Sequence, residues 1–403
     1  MLFDRTKLIV VLLAVGIPFF WVSSKVYKYF SYKAAPEFSF VGIEEGSSFK
    51  RNVNFAVKSD NGYKVSNVNL NLDGRDIDLG SSKWIGERTF EHKVSFDVTT
   101  VSDGLHKLEV TLVDSSYHAN ATCKKVNFYV DNAPLHAAFL EPEYKVYLGK
   151  TLKVKIHSNK KLKTAEAKFQ SMTRPFWPES EESTVYEALI PIDCESAPGD
   201  FTVTAKLCDA VDNESQLTVR VQVLPFEFPK QKGFTVDSTK FKEDTRLGKT
   251  SKELYATLAK LNKESSNQKL WNGNFDFPME VRKITTPFGE IRMTQERGRY
   301  MHHGVDLVFM PKNVIWAAQD GKIVLMDRFV FTGNTVVIDH GLGVLTLYAH
   351  LEDFADIKIG DMIKKGTPIG RVGMTGYSNG YHLHWEIRVN NVSIDPLEWV
   401  GKI

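Results

Sequence analysis

Apolar and polar residues alternate in short runs along most of this chain, and turn residues punctuate the runs, as in NLDGRD, DGLHKLEVTLVD and PGDFTVTAKLCD. Alternation with a period of two, bounded by Gly, Asp and Pro, predicts short half-buried β-strands. The pattern changes twice. Near the N-terminus LIVVLLAVGIPFFWV is an unbroken apolar run from Leu8 to Val22. After LPFEFPKQKGF, the stretch SKELYATLAKLNKES carries Leu254, Leu258 and Leu261 at helix-compatible spacing with lysines between them, which predicts a connector of one helix. From WNGNFDFP onward strands return, with glycine turns at QDG, FTGN and HGLG, so an all-β segment closes the chain.

The strand-rich region before the connector repeats itself. Gly104 and Asp114 recur as Gly199 and Asp209 at a shift of 95, and FEHKVSFD from Phe90 lines up with YEALIPID from Tyr186 at a shift of 96. A period near 100 residues, filled with closely spaced strands, predicts two tandem immunoglobulin-like β-sandwiches, at 36–133 and 134–226. The Cys, Trp, Cys spacing of antibody domains is absent, so the likeness is to sandwich modules in general. The fold class expected is multidomain and mainly β: an N-terminal membrane helix within 1–33, two sandwiches, a helical connector at 227–270 and an antiparallel all-β domain at 271–403.

Length and charge add limits. A chain of 403 residues has room for two to four domains, and a net charge of +2 with no basic tract does not suggest nucleic acid as a partner. The Leu8–Val22 run falls between a signal-peptide core and a full membrane span. Val22, Ser23 and Ser24 resemble a cleavage site, but Tyr27, Tyr29, Phe30 and Tyr32 beside Lys25, Lys28 and Lys33 read as an interfacial belt, which favours an uncleaved anchor. Basic residues flank the run on both sides, so charge alone leaves its orientation open. Cys123, Cys194 and Cys208 form no even set and no C-x-x-C. Cys194 and Cys208 are expected on two strands of one hairpin, out of bonding reach, as structural thiols.

The chemistry lies near the C-terminus. In YHLHWEI, residues 381–387, alternation puts Tyr381, Leu383, Trp385 and Ile387 on one side and His382, His384 and Glu386 on the other. Upstream, HHGVD sets His302 and Asp306 four apart, on one face of a strand or a helical turn, with Gly304 allowing close backbone approach. Three ligands of mixed nitrogen and oxygen type, with a fourth position left to water, are the usual plan of a catalytic zinc site. His302, Asp306 and one histidine of the pair supply such a set, and the other histidine is placed to meet a substrate. Between these motifs NTVVIDHGLGVLTLYAHL, residues 334–351, reads as a hairpin turned at Gly341 and Gly343 and ending at His350, on the strand face of Tyr348.

The order H-x-G-x-D at His302, Gly304 and Asp306, then Y-A-H-L around His350, then G-x-T-G from Gly373 to Gly376 leading into HLHWE, resembles the lysostaphin-type zinc endopeptidases of bacterial cell walls. TTPFGEIR, VIDHGLG and IDPLEW are similar to the same family, and the likeness covers about residues 271–403. It implies that His302, Asp306 and His384 bind Zn2+ and that His350 and His382 are the catalytic imidazoles. Asn379 and Tyr381 depart from the family's commoner residues, so the cleft rim and substrate choice do not carry over. His303 takes the variable position of the motif, facing away from its neighbours, and is assigned no role. Glu386 is a candidate to orient His384.

The expectation is a zinc metalloendopeptidase held in the cytoplasmic membrane by a single pass, with its bulk in the periplasm, cutting cross-links or stem peptides of peptidoglycan. The sandwiches are expected to act as spacer or to bind the wall or a protein partner. The alternative is a catalytically silent regulator of other wall hydrolases, although relatives of that kind lack ligands that this chain keeps. A latent form, with the connector from Phe226 to Phe275 or a sandwich covering the metal and Asn272 or Asn274 as plug, is a further expectation.

Overall fold

Strand Gly104–Asp114 illustrates how alternation builds this protein: His106, Leu108, Val110 and Leu112 are buried, whereas Lys107 is exposed and Glu109 half-buried. The computed structural model describes residues 20–60, 64–78, 81–231, 249–294 and 298–401, and is mainly β with few helices. The chain divides into two compact units, Met1–Leu135 with Cys208–Asn213, and His136–Leu207 with Glu214–Ile403. The expected membrane run lies almost wholly outside the described residues. Residues 20–31 are helical and exposed, and among the described residues no helix is long and apolar enough to cross a membrane.

In the first strand-rich region one sheet has the order Phe38–Val41, Asn52–Asp60, Thr89–Asp97, and the other Ser47–Phe49, Ala121–Val130, Gly104–Asp114, Val65–Leu72, Arg75–Asp76. Inward rows of both sheets, among them Val53, Phe55 and Val94 from one and Leu70, Leu108 and Phe128 from the other, share one core. The second region repeats this plan. Ala137–Phe139, Thr151–Ser158 and Val185–Pro191 stand where the first three strands stood, with Trp177–Pro178 added at the edge. Glu143–Tyr147, Glu214–Leu224, Gly199–Asp209, Leu162–Phe169 and Met172–Pro175 reproduce the five-stranded sheet. In each region the pairing that starts this sheet is parallel.

The repeated aspartates have a common task. Asp114 Oδ1 accepts from the backbone nitrogens of Ser116 and Asn120, and Asp209 Oδ1 from those of Val211 and Asn213, so each buried carboxylate ties the turn that follows its strand. The cysteine expectation needs correction. Val185–Pro191 and Gly199–Asp209 belong to different sheets, so Cys194 lies in a crossing loop and not in a hairpin. All three cysteines are free, and burial pushes the Cys194 thiol up to about 12.

Among the described residues the C-terminal sheet has ten strands, with the core order Lys283–Thr286, Val305–Val308, Leu383–Val389, Val344–Phe354, Gly333–Asp339, Gly321–Phe329, Met362–Ile363. Trp385, Tyr348, Phe275 and Trp399 anchor its core, which also takes in Leu189 and Cys194 from the second strand-rich region. Two polar ties accompany that shared core: Lys150 Nζ meets Asp395 at 2.7 Å, and the Thr151 nitrogen donates to Glu398 at 2.9 Å. The helix Ser251–Lys263 begins with a capping box, in which Thr250 and Glu253 each satisfy the other's backbone nitrogen. Its Leu254 and Leu258 pack on Leu325, Phe329, Val337 and Leu347, each such leucine contributing about 2 kcal/mol.

Candidate metal and catalytic centre

Sheet register sets the first part of the site. Asp306 pairs with His384, and His384 pairs with Ala349 on its other side, so these three stand abreast on one face while Val305, Trp385 and Tyr348 fill the core behind. His302 enters from the loop before Val305. A Cβ on Gly304 would lie 2.3 Å from the Trp385 carbonyl oxygen, so only glycine lets this loop lie on the neighbouring strand.

The donor atoms converge closely. His302 Nε2 lies 2.9 Å from His384 Nδ1, and each lies 3.0 Å from Asp306 Oδ1. The opposite ring nitrogens are already committed: His302 Nδ1 faces the Pro287 carbonyl at 3.1 Å and His384 Nε2 faces Glu386 Oε1 at 3.0 Å. Carbonyls and carboxylates only accept, so those nitrogens carry the hydrogens and the facing ones hold lone pairs. Three acceptors therefore meet with no hydrogen among them, an arrangement that a cation relieves.

A proton is one such cation. Burial opposes charge on His384, but the hydrogen bonds and charges of Asp306 and Glu386 outweigh it and raise its pKa to about 9. Burial also works against the Asp306 carboxylate, yet the surrounding imidazoles hold it well below the usual range. A metal ion is the other candidate. The observed 2.9–3.0 Å spacing approaches the ~3.3 Å edge of a tetrahedron whose bonds are ~2.0–2.1 Å, so the residues fit zinc.

Two further imidazoles adjoin this triangle. His382 Nδ1 donates to the Gly380 carbonyl at 2.9 Å, and His350 Nδ1 to the Thr375 carbonyl at 2.7 Å, which leaves an Nε2 lone pair on each. Their ring centroids are 4.7 Å apart, and His382 Nε2 is 3.7 Å from Asp306 Oδ1. Burial lowers both pKa values, and for His350 the nearby His382 and His384 lower it further, so both rings are neutral bases at neutral pH.

His350 reaches the cleft by a route that alternation does not give. On a regular strand it would share the face of Tyr348, away from His384. Its backbone is instead left-handed, with φ 62°, and this turns the ring to the cleft side while the Tyr348 hydroxyl accepts from the Ala318 nitrogen in the core. The GMTG loop holds the conformation. A Cβ on Gly373 would fall 2.6 Å from the His350 carbonyl oxygen, and Thr375 Oγ1 donates to the Leu351 carbonyl at 2.8 Å.

Several partners were not singled out by sequence reasoning. Arg292, from the IR of TTPFGEIR, is buried beside Asp306 with Nη2 3.3 Å from Oδ2, and it also bonds Thr286 and Glu290. Arg388 meets Glu386 Oε2 at 2.9 Å, and alternation from His384 through Glu386 was the signal that could have found it. Together the His384 hydrogen bond and the Arg388 charge hold the buried Glu386 well below the usual carboxylate range, against the effect of burial. His303 does not turn away: it lines the cleft with Tyr255 of the connector helix, their rings 6.5 Å apart. The cleft measures about 420 Å³ and also takes in Gln231, Ser251 and Leu254, whereas Asn272 and Asn274 lie outside it, their carbonyls accepting from Gln319.

Residues 300–396 match the model of Peptidase family M23. The DD-carboxypeptidase/endopeptidase Mpg of Neisseria meningitidis serogroup B is 36% identical over 126 residues, 31% of this chain and 29% of that relative. The peptidoglycan DD-endopeptidase ShyC of Vibrio cholerae serotype O1 is 35% identical over 120 residues, 30% of this chain and 28% of that relative. The chain thus spans under a third of the length of these curated relatives. A crystal structure assigned to peptidase M23 from Pseudomonas aeruginosa aligns over 66% of this chain and 96% of its own, at 22% identity and a TM-score of 0.44.

Proposed function

Because residues 300–396 are a peptidase M23 domain, we propose that this protein is a zinc endopeptidase that hydrolyses peptide bonds of peptidoglycan during wall remodelling. The observation that carries the reading is the triangle of lone pairs on His302 Nε2, Asp306 Oδ1 and His384 Nδ1, beside two neutral imidazoles. Two nitrogens and one oxygen with a fourth position free suit a catalytic zinc. Zinc bound by these residues supplies Lewis-acid polarisation of the scissile carbonyl and makes water acidic enough to attack at neutral pH.

The chain's own groups handle the protons. Neutral His350 and His382 each offer an Nε2 lone pair toward the cleft, so either accepts the proton that the attacking water releases. The resulting imidazolium lies where negative charge develops on the tetrahedral oxygen and stabilises it. The same proton then passes to the leaving amine nitrogen, which returns the ring to its neutral state. Glu386 and Pro287 keep the two ligating rings in the tautomers that leave their lone pairs inward.

The relatives' names as DD-endopeptidases support a cross-link bond between D-configured residues as the one cut. The apolar Leu8–Val22 run supports a single-pass anchor in the cytoplasmic membrane, with the bulk of the chain in the periplasm. The repeated sheet order supports two immunoglobulin-like modules at 36–133 and 134–226, acting as spacer or wall- or partner-binding elements, ahead of a connector at 227–270 and a catalytic domain at 271–403. The silent-regulator alternative is not favoured, since the three proposed ligands converge and the two proposed bases, His350 and His382, lie beside them. Zinc content of the full chain, measured with digestion of purified cross-linked peptidoglycan followed by mass spectrometry, tests the proposal. Stoichiometric zinc with loss of cross-linked dimers is expected; a His384→Ala variant that still cleaves would overturn it.

A further inference from the structure

A second groove, of about 330 Å³, lies where the second strand-rich region packs on the C-terminal sheet. Its size is at the lower end for small-molecule sites, ~300–1,000 Å³. One wall is the outward row of the Trp177, Val185–Pro191 and Thr151–Ser158 strands, where register sets Trp177, Glu187 and Lys155 abreast with Lys153 two residues along. The inward row of the same strands, Val154, Ile156, Ala188 and Ile190, is fully buried, so the outward side chains are not needed for that core. The other wall is formed by Lys269, Trp271 and Trp399, with the two indoles 6.0 Å apart at 54°.

Lys155 of this lining pairs with Glu179 and Glu398 accepts from the Thr151 nitrogen, but three other charged groups are not engaged in this way. Lys153 Nζ lies 5.1 Å from the Trp399 ring centre and Lys269 Nζ 5.0 Å from that of Trp271, and among the described residues neither is paired with a carboxylate. Glu187 accepts no hydrogen bond among the described residues, although it feels the charge of Lys155. The groove therefore offers two partly exposed indoles, Trp177 and Trp271, with the buried Trp399 at its floor, two ammonium donors and a carboxylate acceptor. Indole faces are negative and attract the weakly positive C–H face of a sugar ring. Hydroxyl and N-acetyl groups need both donors and acceptors, which the mixed charges provide, whereas a polyanion would be repelled by Glu187.

We infer that this groove binds the amino-sugar backbone of the wall polymer, as a site separate from the catalytic cleft. The inference rests on the proposed function for the identity of the polymer. Distance supports a polymeric ligand. Leu342, on the groove, lies in the turn before strand Val344–Phe354, and the six steps from Val344 to His350 span at most roughly 20 Å at ~3.3 Å per residue. A glycan strand that carries a peptide in the cleft is long enough to lie in the groove as well. Holding the strand at a second point raises the effective concentration of its peptides at the cleft.

The test uses the full chain and two separate ligands: peptide-free glycan strands, scored by co-sedimentation, and a sugar-free cross-linked peptide dimer, scored by hydrolysis. Trp177→Ala and Lys153→Glu, both on the outward row, are expected to weaken glycan binding tenfold or more and to leave dimer hydrolysis unchanged. Unchanged dimer hydrolysis also reports that each variant is folded. Glycan binding that is equal in wild type and both variants, or that only the peptide dimer displaces, overturns the inference. A wild-type protein that cleaves the dimer but does not bind glycan also overturns it and leaves the catalytic proposal standing. Glycan binding lost in the variants, with no cleavage of the peptide dimer by wild type, supports the groove and defeats the catalytic reading.

Discussion

Glu386 and His384 stand two residues apart on one strand, and the carboxylate of the first accepts the Nε2 hydrogen of the second at 3.0 Å. Arg388, two residues further on, holds the other carboxylate oxygen. One alternating row thus contains a candidate ligand, the group that fixes its tautomer and the cation that fixes that group. Glu386→Gln removes the charge and weakens the preference for an inward Nδ1 lone pair. Metal affinity is expected to fall 10- to 100-fold, read by competition with a chromogenic chelator.

Ligand and base variants should separate. His384→Ala is expected to lose both metal and activity. His350→Ala should keep stoichiometric metal and lose about 10²- to 10⁴-fold in kcat on a cross-linked peptide dimer. Metal analysis beside the rate distinguishes the two, and a His350→Ala protein without metal would place that ring among the ligands.

The left-handed turn at His350 gives a third expectation. Gly373→Ala puts a methyl 2.2 Å from the Glu352 nitrogen and 2.6 Å from the His350 carbonyl, against backbone that cannot easily move. The ring should shift from the cleft, with at least a tenfold loss in kcat while bound metal stays stoichiometric.

Acid should destabilise the C-terminal sheet through His340. This ring is fully buried, with Nδ1 donating to the Asp320 carbonyl at 2.6 Å, and burial pushes its pKa down to about 4. The unfolded chain takes up the proton near pH 6.5, so this contribution to stability is complete above that pH and is lost as pH falls toward 4. The loss should approach about 3 kcal/mol, read by urea unfolding across the range, and His340→Gln should flatten the slope.

Much of this architecture could be read from the sequence because alternation reports directly on burial. The 95-residue recurrence of Gly104 and Asp114 located a repeat that the sheet orders reproduce, and in YHLHWEI Leu383, Trp385 and Ile387 face the core and His384 and Glu386 the cleft as alternation requires, whereas Tyr381, ahead of the strand, also lines the cleft. What escaped depends on breaks in that regularity. The face of His350 follows from one left-handed residue, which a YAHL string does not reveal. Cys194 was put in a hairpin because neighbouring strands in sequence usually pair, whereas here the chain crosses between sheets. Arg292 was quoted within a motif, but its contact with Asp306 comes from the pairing of Lys283–Thr286 with Val305–Val308, which brings Thr286 opposite Asp306.

The shared core of Leu189 and Cys194 with Phe275 and Trp399 bears on heredity as well as on packing. The stretch matched by the family model, 300–396, is shorter than the packed unit that contains it, because part of its apolar floor and the partner of Glu398 are provided by residues near 150 and 190. Recombination that carried only the matched stretch into another chain would leave an open, sticky surface.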